Sequence, residues 1–216
     1  MKDNVYLVDD DPAVRASLGW LLEAVQIRLQ SYDGARSFLA EADLSQPGCL
    51  ILDLCMPGMS GGELQEALNR LPNTLAIVFL TGEADVATTV SLFKQGAFDL
   101  LEKPVDSAVL LAAIGRACAH SRAAHERQLA RQVLQARLEL LSPREREIMG
   151  LVQEGMQNKQ IADRLCIALR TAEIHRHNMM KKMGCTTPLQ LVQLLTEAQF
   201  GYPARTAMAL DIPTPV

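Results

Sequence analysis

Five short runs of strand length alternate with stretches of helical periodicity over the first half of the chain, and this alternation restricts the fold more than any other feature. Val5-Tyr6-Leu7-Val8, residues 27–32, Leu50-Ile51-Leu52, Ile77-Val78-Phe79-Leu80 and residues 98–101 are the strand candidates. Between them, Asp11-Pro12 marks a helix start and Val14, Leu18, Leu21, Leu22 and Val25 form one stripe. Leu64, Leu68 and Leu71 form a second stripe, Val86, Val90 and Phe93 a third, and Leu110, Leu111 and Ile114 a fourth. Repeated strand–helix alternation predicts a parallel sheet with helices on both faces.

Four of the runs end in groups that carry chemistry. The first leads into Asp9 and Asp10, the Leu50 run into Asp53, the Ile77 run into Thr81, and the last into Glu102, Lys103 and Pro104. Parallel strands bring these ends to one edge, where open α/β sheets bind ligands. Clustered carboxylates repel one another unless a cation sits among them, and a hard, oxygen-only site suits Mg²⁺ with water and phosphate. Lys103 and Thr81 then supply a point charge and a hydroxyl for phosphoryl oxygens, and the Asp53 carboxylate is placed as a nucleophile forming an aspartyl phosphate.

Apart from that edge, composition bounds the class. No unbroken apolar stretch reaches the roughly 18 residues of a membrane span, and the N-terminus lacks a signal-like pattern, so a soluble cytoplasmic protein with no membrane partner is expected. The five cysteines, Cys49, Cys55, Cys118, Cys166 and Cys185, show no metal-ligand spacing and read as reduced thiols, mostly buried, with Cys55 the redox-sensitive candidate. Charge divides sharply: residues 1–120 carry net −8 and residues 121–216 net +4. Two halves of opposite sign imply two different partners.

Residues 118–140 contain neither Gly nor Pro, and Leu129, Val133, Ala136 and Leu140 make a thin apolar stripe. Both a solvated linker helix and a short dimeric coiled coil satisfy that pattern, and His120 and His125 within it are expected at the surface. Ser142-Pro143-Arg144-Glu145 then has the form of a helix cap, and four short helices follow as far as residue 200. The middle two, joined at Cys166-Ile167-Ala168, have helix-turn-helix spacing, with Ile161, Ala162 and Leu165 inward. The third exposes Arg170, Arg176, Lys181 and Lys182, and a basic helix of this length suits the major groove of DNA. His175 and His177 lie on different helix faces, which argues against a metal pair.

Two sets of motifs carry a family resemblance. Val8-Asp9-Asp10-Asp11, Asp53-Leu54-Cys55-Met56-Pro57-Gly58-Met59-Ser60-Gly61, Thr81-Gly82 and Glu102-Lys103-Pro104 resemble the receiver domain of two-component response regulators over about residues 3–120. Leu141-Ser142-Pro143-Arg144-Glu145-Arg146-Glu147, Asn158-Lys159-Gln160-Ile161-Ala162 and Arg170-Thr171-Ala172-Glu173-Ile174-His175-Arg176 resemble the LuxR-type helix-turn-helix. Together the chain is similar to the FixJ/NarL family of transcriptional regulators.

The resemblance implies a flavodoxin-like receiver with a five-stranded parallel sheet in the order 2-1-3-4-5, followed by a four-helix, all-α helix-turn-helix domain. It implies a receiver at residues 1–120, a helical linker at 121–140, a DNA-binding domain at 141–200 and a mobile tail at 201–216. Asp53 would accept a phosphoryl group from a sensor histidine kinase. Asp10, Asp53 and the backbone carbonyl of Cys55 would ligate Mg²⁺, Asp9 would act through water, and Thr81 and Lys103 would grip the phosphoryl group. Glu173, Ile174 and His177 would face bases, with Glu173 accepting from a cytosine amino group. Lys159, Thr171, Arg176 and Lys181 would contact the DNA backbone. Phosphorylation would favour a homodimer through the fourth helix, with double-stranded DNA and RNA polymerase as partners.

Three positions depart from the family pattern. Leu100 stands where the aromatic of the receiver switch is usual, Ala168 replaces a small hydroxyl before the recognition helix, and Ala172 replaces a valine. Ala168 removes a helix cap, so a weaker or frayed recognition helix is expected. Two other functions share some of these residues. A phosphatase working through an aspartyl phosphate would use the same carboxylates, but the usual acid–base carboxylate soon after the nucleophile is missing from Asp53-Leu54-Cys55. A protein-binding adaptor without DNA binding would use the helical half alone.

Overall fold

The computed structural model describes residues 4–82 and 85–200; the tail expected at 201–216 lies outside them. Five strands, β1 (Asn4–Val8), β2 (Leu29–Tyr32), β3 (Gly48–Asp53), β4 (Ala76–Thr81) and β5 (Asp99–Glu102), pair in parallel in the order β2-β1-β3-β4-β5. That is the expected order. The helices between and after them are α1 (Pro12–Ala24), α2 (Ala35–Glu41), α3 (Gly61–Asn69), α4 (Val86–Lys94) and α5 (Ser107–Glu139).

The strands are apolar without interruption because both sheet faces are covered. Val5, Leu7, Cys49, Ile51, Val78 and Leu80 pack on one side with Leu18 and Leu22 of α1 and Leu110 and Ile114 of α5. The alternate residues, Tyr6, Val8, Leu50, Leu52, Ile77 and Phe79, pack on the other with Phe38 of α2, Leu64 and Leu68 of α3 and Leu92 of α4. Leu100 is half-buried against this second cluster and lies in register with Phe79.

On α4 the apolar stripe turns away from the core. Val86, Val90 and Phe93 are exposed, and Leu92 is the buried residue of α4. The second strand starts at Leu29 rather than at residue 27, because the turn after α1 places Gln26 at φ 59° and bonds Ile27 N–H to the Leu22 carbonyl. Leu129, Val133, Ala136 and Leu140 face solvent on α5, in keeping with a linker helix or a seam for a second chain, while Leu134 is buried and Leu138 half-buried. A stripe at three- and four-residue spacing identifies a helix, but it does not say which stripe meets the core.

The chain divides into two compact units, Met1–Glu126 and Arg127–Val216, with the division inside α5. In the first, the buried Ser121 hydroxyl accepts from Gly48 N–H at 2.8 Å and donates to the Thr74 carbonyl at 2.5 Å, tying α5 to the starts of β3 and β4. In the second, α6 (Pro143–Gln153), α7 (Asn158–Arg164), α8 (Leu169–Met183) and α9 (Pro188–Phe200) follow the end of α5. Their core joins Leu134, Ile148, Val152, Ile161, Ala162, Met179, Met183 and Leu191. Cys49, Cys118 and Cys185 are buried, Cys55 and Cys166 exposed, and all five are thiols outside any disulfide.

Candidate functional site

The ends of β1, β3 and β4 and the residue after β5 meet as the alternation predicts. Asp9 is 1% and Asp53 6% exposed, and Thr81 is buried beside them. Lys103 Nζ lies 2.8 Å from Asp9 Oδ2 and 2.5 Å from Asp53 Oδ1, so one ammonium bridges both carboxylates. Its own position is fixed from β4, because Lys103 N–H donates to the Thr81 carbonyl at 2.7 Å; the Lys103–Pro104 peptide bond is cis. The second oxygens are held by main chain: Asp53 Oδ2 accepts from Cys55 N–H at 2.8 Å and Asp9 Oδ1 from Asp11 N–H at 2.9 Å.

The loop leaving β3 is shaped by a close approach. A Cβ at Gly61 would lie 2.3 Å from the Asp53 carbonyl oxygen, and Gly61 N–H donates to the Leu54 carbonyl at 3.0 Å. Ser60 then caps α3 in a reciprocal box with Glu63. On the β1 side, Asp11 serves as the cap of α1, accepting from Ala13 N–H at 2.8 Å, which leaves the exposed Asp10 carboxylate at the edge. Arg15, which sequence reasoning passed over, donates to the Asp9 and Asp10 carbonyls at 2.7 and 2.9 Å. An arginine one turn into a helix gives no signal that main-chain carbonyls lie within reach.

Acidities follow from this crowding. Burial pushes the Asp53 carboxyl above its ordinary 3.8 and the Asp9 charge adds to the rise, against the pull of Lys103 and the Cys55 N–H. For Lys103, burial opposes the ammonium, but hydrogen bonds and charge from Asp53 and Asp9 outweigh it and hold its pKa above 10.5. Among the described residues no three His, Cys, Asp or Glu side chains are gathered as a ready metal cluster. Mg²⁺ does not need one, since it binds through one or two carboxylates with water and phosphate oxygens. Two buried carboxylates share the one ammonium, so the donor set and its excess negative charge fit that ion.

In the second unit, α8 runs regularly for fifteen residues from Leu169, although its cap position, Ala168, makes no side-chain hydrogen bond. The helix is regular from its first turn: Thr171 and Ala172 N–H both reach the Ala168 carbonyl, and Ala172, Met179 and Met183 anchor it in the core. Thr171, Ile174, His177 and Lys181 are exposed on α8, and Lys159 is exposed near the start of α7. Asn178, which the sequence motifs did not single out, is exposed too; a helical wheel places it on the same face as Ile174 and Lys181. Glu173 is half-buried and paired with Arg170 at 3.3 Å.

Arg176 departs from its expected place on the exposed face. It is half-buried, and its Nη1 donates to the Met156 carbonyl at 3.2 Å and to Asn158 Oδ1 at 2.9 Å. Lys182 reaches back to the buried Glu145, with Nζ 2.7 Å from Oε2. Glu145 also accepts from Ser142 N–H at 2.8 Å, and these bonds, with Lys182 the stronger influence, hold its carboxyl below the usual 4.5. His120 is exposed, with its ring 5.2 Å from that of Phe98, whereas His125 is half-buried. No helix of the described residues is long and apolar enough to cross a membrane.

Known proteins match both units. Residues 5–115 fit the response regulator receiver domain, and residues 139–195 fit the bacterial regulatory proteins of the luxR family. The C4-dicarboxylate transport transcriptional regulatory protein DctR of Rhodobacter capsulatus is 43% identical, covering 90% of this chain and all of its own. The transcriptional regulatory protein FixJ of Rhizobium meliloti is 39% identical, covering 91% of this chain and 97% of its own. The solved structure of the response regulator StyR aligns over 91% of this chain and all of its own, with 37% identity and a TM-score of 0.82.

Proposed function

The chain belongs to the LuxR/FixJ family of response regulators, and from that membership we propose that Asp53 is its phosphoacceptor and that phosphorylation there governs how the second unit engages DNA. A receiver and a LuxR-type domain on one chain make a DNA-binding response regulator, not a turnover enzyme, with a kinase and DNA as its partners. The observation that carries the phosphoacceptor assignment is the Lys103 bridge, which holds Asp53 at the strand edge beside Thr81 and Asp9.

In the transfer, an Asp53 carboxylate oxygen attacks the phosphorus of a phosphohistidine. The P–O bond forms as the P–N bond breaks, and the imidazole leaves with the electron pair and takes up a proton. Receiver domains take up Mg²⁺ for phosphorylation; here Asp10, Asp53 and the Cys55 carbonyl would hold it, Asp9 would act through water, and the ion supplies positive charge against the phosphoryl oxygens. Lys103 then exchanges one carboxylate for a phosphoryl oxygen, and the Thr81 hydroxyl donates to another.

Lys159, Thr171 and Lys181 are assigned to DNA phosphates, with Ile174, His177 and Glu173 toward bases; Asn178 shares that face. Phosphorylation favours a homodimer, for which the exposed Leu189 and Val192 on α9 offer apolar surface, and the dimer acts in the cytoplasm alongside RNA polymerase. The test is duplex binding by the full chain over a salt series, with and without Mg²⁺ and a small-molecule phosphodonor, for wild type and Asp53→Asn. Expected are a steep fall of affinity with salt and a gain on phosphorylation that Asp53→Asn loses. Salt-insensitive or absent binding in the phosphorylated form would favour an adaptor instead.

A further inference from the structure

Arg176 has the charge of a phosphate contact and the surroundings of a structural clamp. Nη1 carries two protons, and two acceptors lie within reach of it: the Met156 carbonyl in the turn between α6 and α7, and Asn158 Oδ1 at the start of α7. That turn has an exposed Gly155 at φ 83°, and beyond Met156, itself half-buried against the core, it leads directly into α7. Asn158 is the first residue of α7, and the next residue is the exposed Lys159. The arginine thus joins the middle of α8 to the entry of α7 at a point where a glycine-flanked turn has little stiffness of its own.

From this geometry we infer that Arg176 is a positioning residue for DNA binding: it fixes Lys159 relative to the exposed face of α8 and does not itself contact phosphate. The inference rests on the DNA-binding reading above. Nη1, tied to two internal acceptors of which one is a main-chain carbonyl, pins the half-buried guanidinium, and swinging the group out toward solvent would break both bonds. Lys159 has no such commitment among the hydrogen bonds and ion pairs of the described residues, and its exposed position beside Asn158 makes its placement dependent on where the turn is held.

The two roles separate in a double-mutant cycle. Duplexes selected by the full-length wild-type protein from a random pool serve as the probe, and affinity is measured over a salt series for Arg176→Gln, Asn158→Ala, Lys159→Ala and the double variants. As a positioning residue, Arg176→Gln weakens binding about tenfold, the size of one lost contact. Asn158→Ala, which leaves the arginine charge in place, weakens it in the same direction. Lys159→Ala then costs much less in the Arg176→Gln background than in wild type, because the lysine is already misplaced.

The opposite pattern would overturn the inference. If Arg176 touches phosphate, Asn158→Ala frees it and binding holds or improves, Arg176→Gln and Lys159→Ala multiply independently, and each lowers the salt slope by about one. A merely structural role would lower the melting temperature yet leave Lys159→Ala with its full effect in both backgrounds, and this too would overturn it. Should Arg176→Gln fail to fold, the pairing of Asn158→Ala with Lys159→Ala carries the same comparison. Absence of salt-dependent binding by wild type would instead refute the DNA-binding reading.

Discussion

Each unit seals a carboxylate against a lysine and a backbone N–H, yet the two carboxylates come out with opposite acidities. Glu145 accepts from Lys182 at 2.7 Å and Ser142 N–H at 2.8 Å and is held below 4.5. Asp53 accepts from Lys103 at 2.5 Å and Cys55 N–H at 2.8 Å, but lies above 3.8. The donors are alike; the difference is that burial leads at Asp53 and that Lys103 is shared with Asp9. A lysine given to one carboxylate makes a structural tie. A lysine divided between two leaves negative charge that an incoming cation or phosphoryl group can relieve.

The sharpest way to break this comparison is to remove each carboxylate's charge. Asp53→Asn should abolish Mg²⁺-dependent labelling by a radioactive phosphodonor, and labelling at unchanged stoichiometry would remove Asp53 from the role. Glu145→Gln should destabilise the second unit by about 2 kcal/mol, the scale of a charged hydrogen bond, read as an earlier transition in urea. The pH signs differ as well. Folded Glu145 titrates below its unfolded value, so its contribution is present above about pH 4.5 and is lost as pH falls through the folded value. Glu145→Gln should erase that acid loss, and an unaltered acid profile would refute the tie.

Two smaller effects sharpen the contrast. α6 is capped by Ser142 and α8 begins at the uncapped Ala168, so Ala168→Ser should stabilise the second unit by about 1 kcal/mol, visible as a later urea midpoint. A neutral result would mean that core packing alone sets the start of α8. For Asp53 the sign reverses: the folded state binds its proton more tightly than the unfolded chain, so ionisation costs stability as pH rises from 3.8 through the folded value. Asp53→Asn should therefore raise the receiver's midpoint at neutral pH, by less than about 1 kcal/mol. A lower midpoint would show that Lys103 needs the full charge.

What the sequence disclosed, it disclosed through local rules. The strand ends were legible because a run buried on both faces must be apolar and must stop where a functional side chain begins. Sheet order came with the family resemblance. Ser142 and Asp11 were readable as caps because a cap is decided within three residues. What was missed depended on distance along the chain: the Lys182–Glu145 pair spans 37 residues, Ser121 meets Gly48 across 73, and nothing near Arg176 announces Met156 as its acceptor. The exposed stripe on α4 failed for another reason, since periodicity fixes an angle around the helix but not the origin of that angle.

Gly61 lies at the base of the Asp53 loop, and its missing side chain has a consequence for how such a site can diverge. Any larger residue there would drive an atom into the carbonyl of Asp53 itself, whereas the next residue, Gly62, meets nothing nearer than Leu92 at 3.7 Å. Two adjacent glycines therefore differ in kind: one is a hard steric limit on the peptide of Asp53, the other a tolerant helix position. Within the loop, the exposed side chains of Cys55 and Pro57 can change what is presented to a kinase, while the Cys55 N–H, the buried Met56, the Ser60 cap and the backbone returning to Gly61 keep the carboxylate where it is.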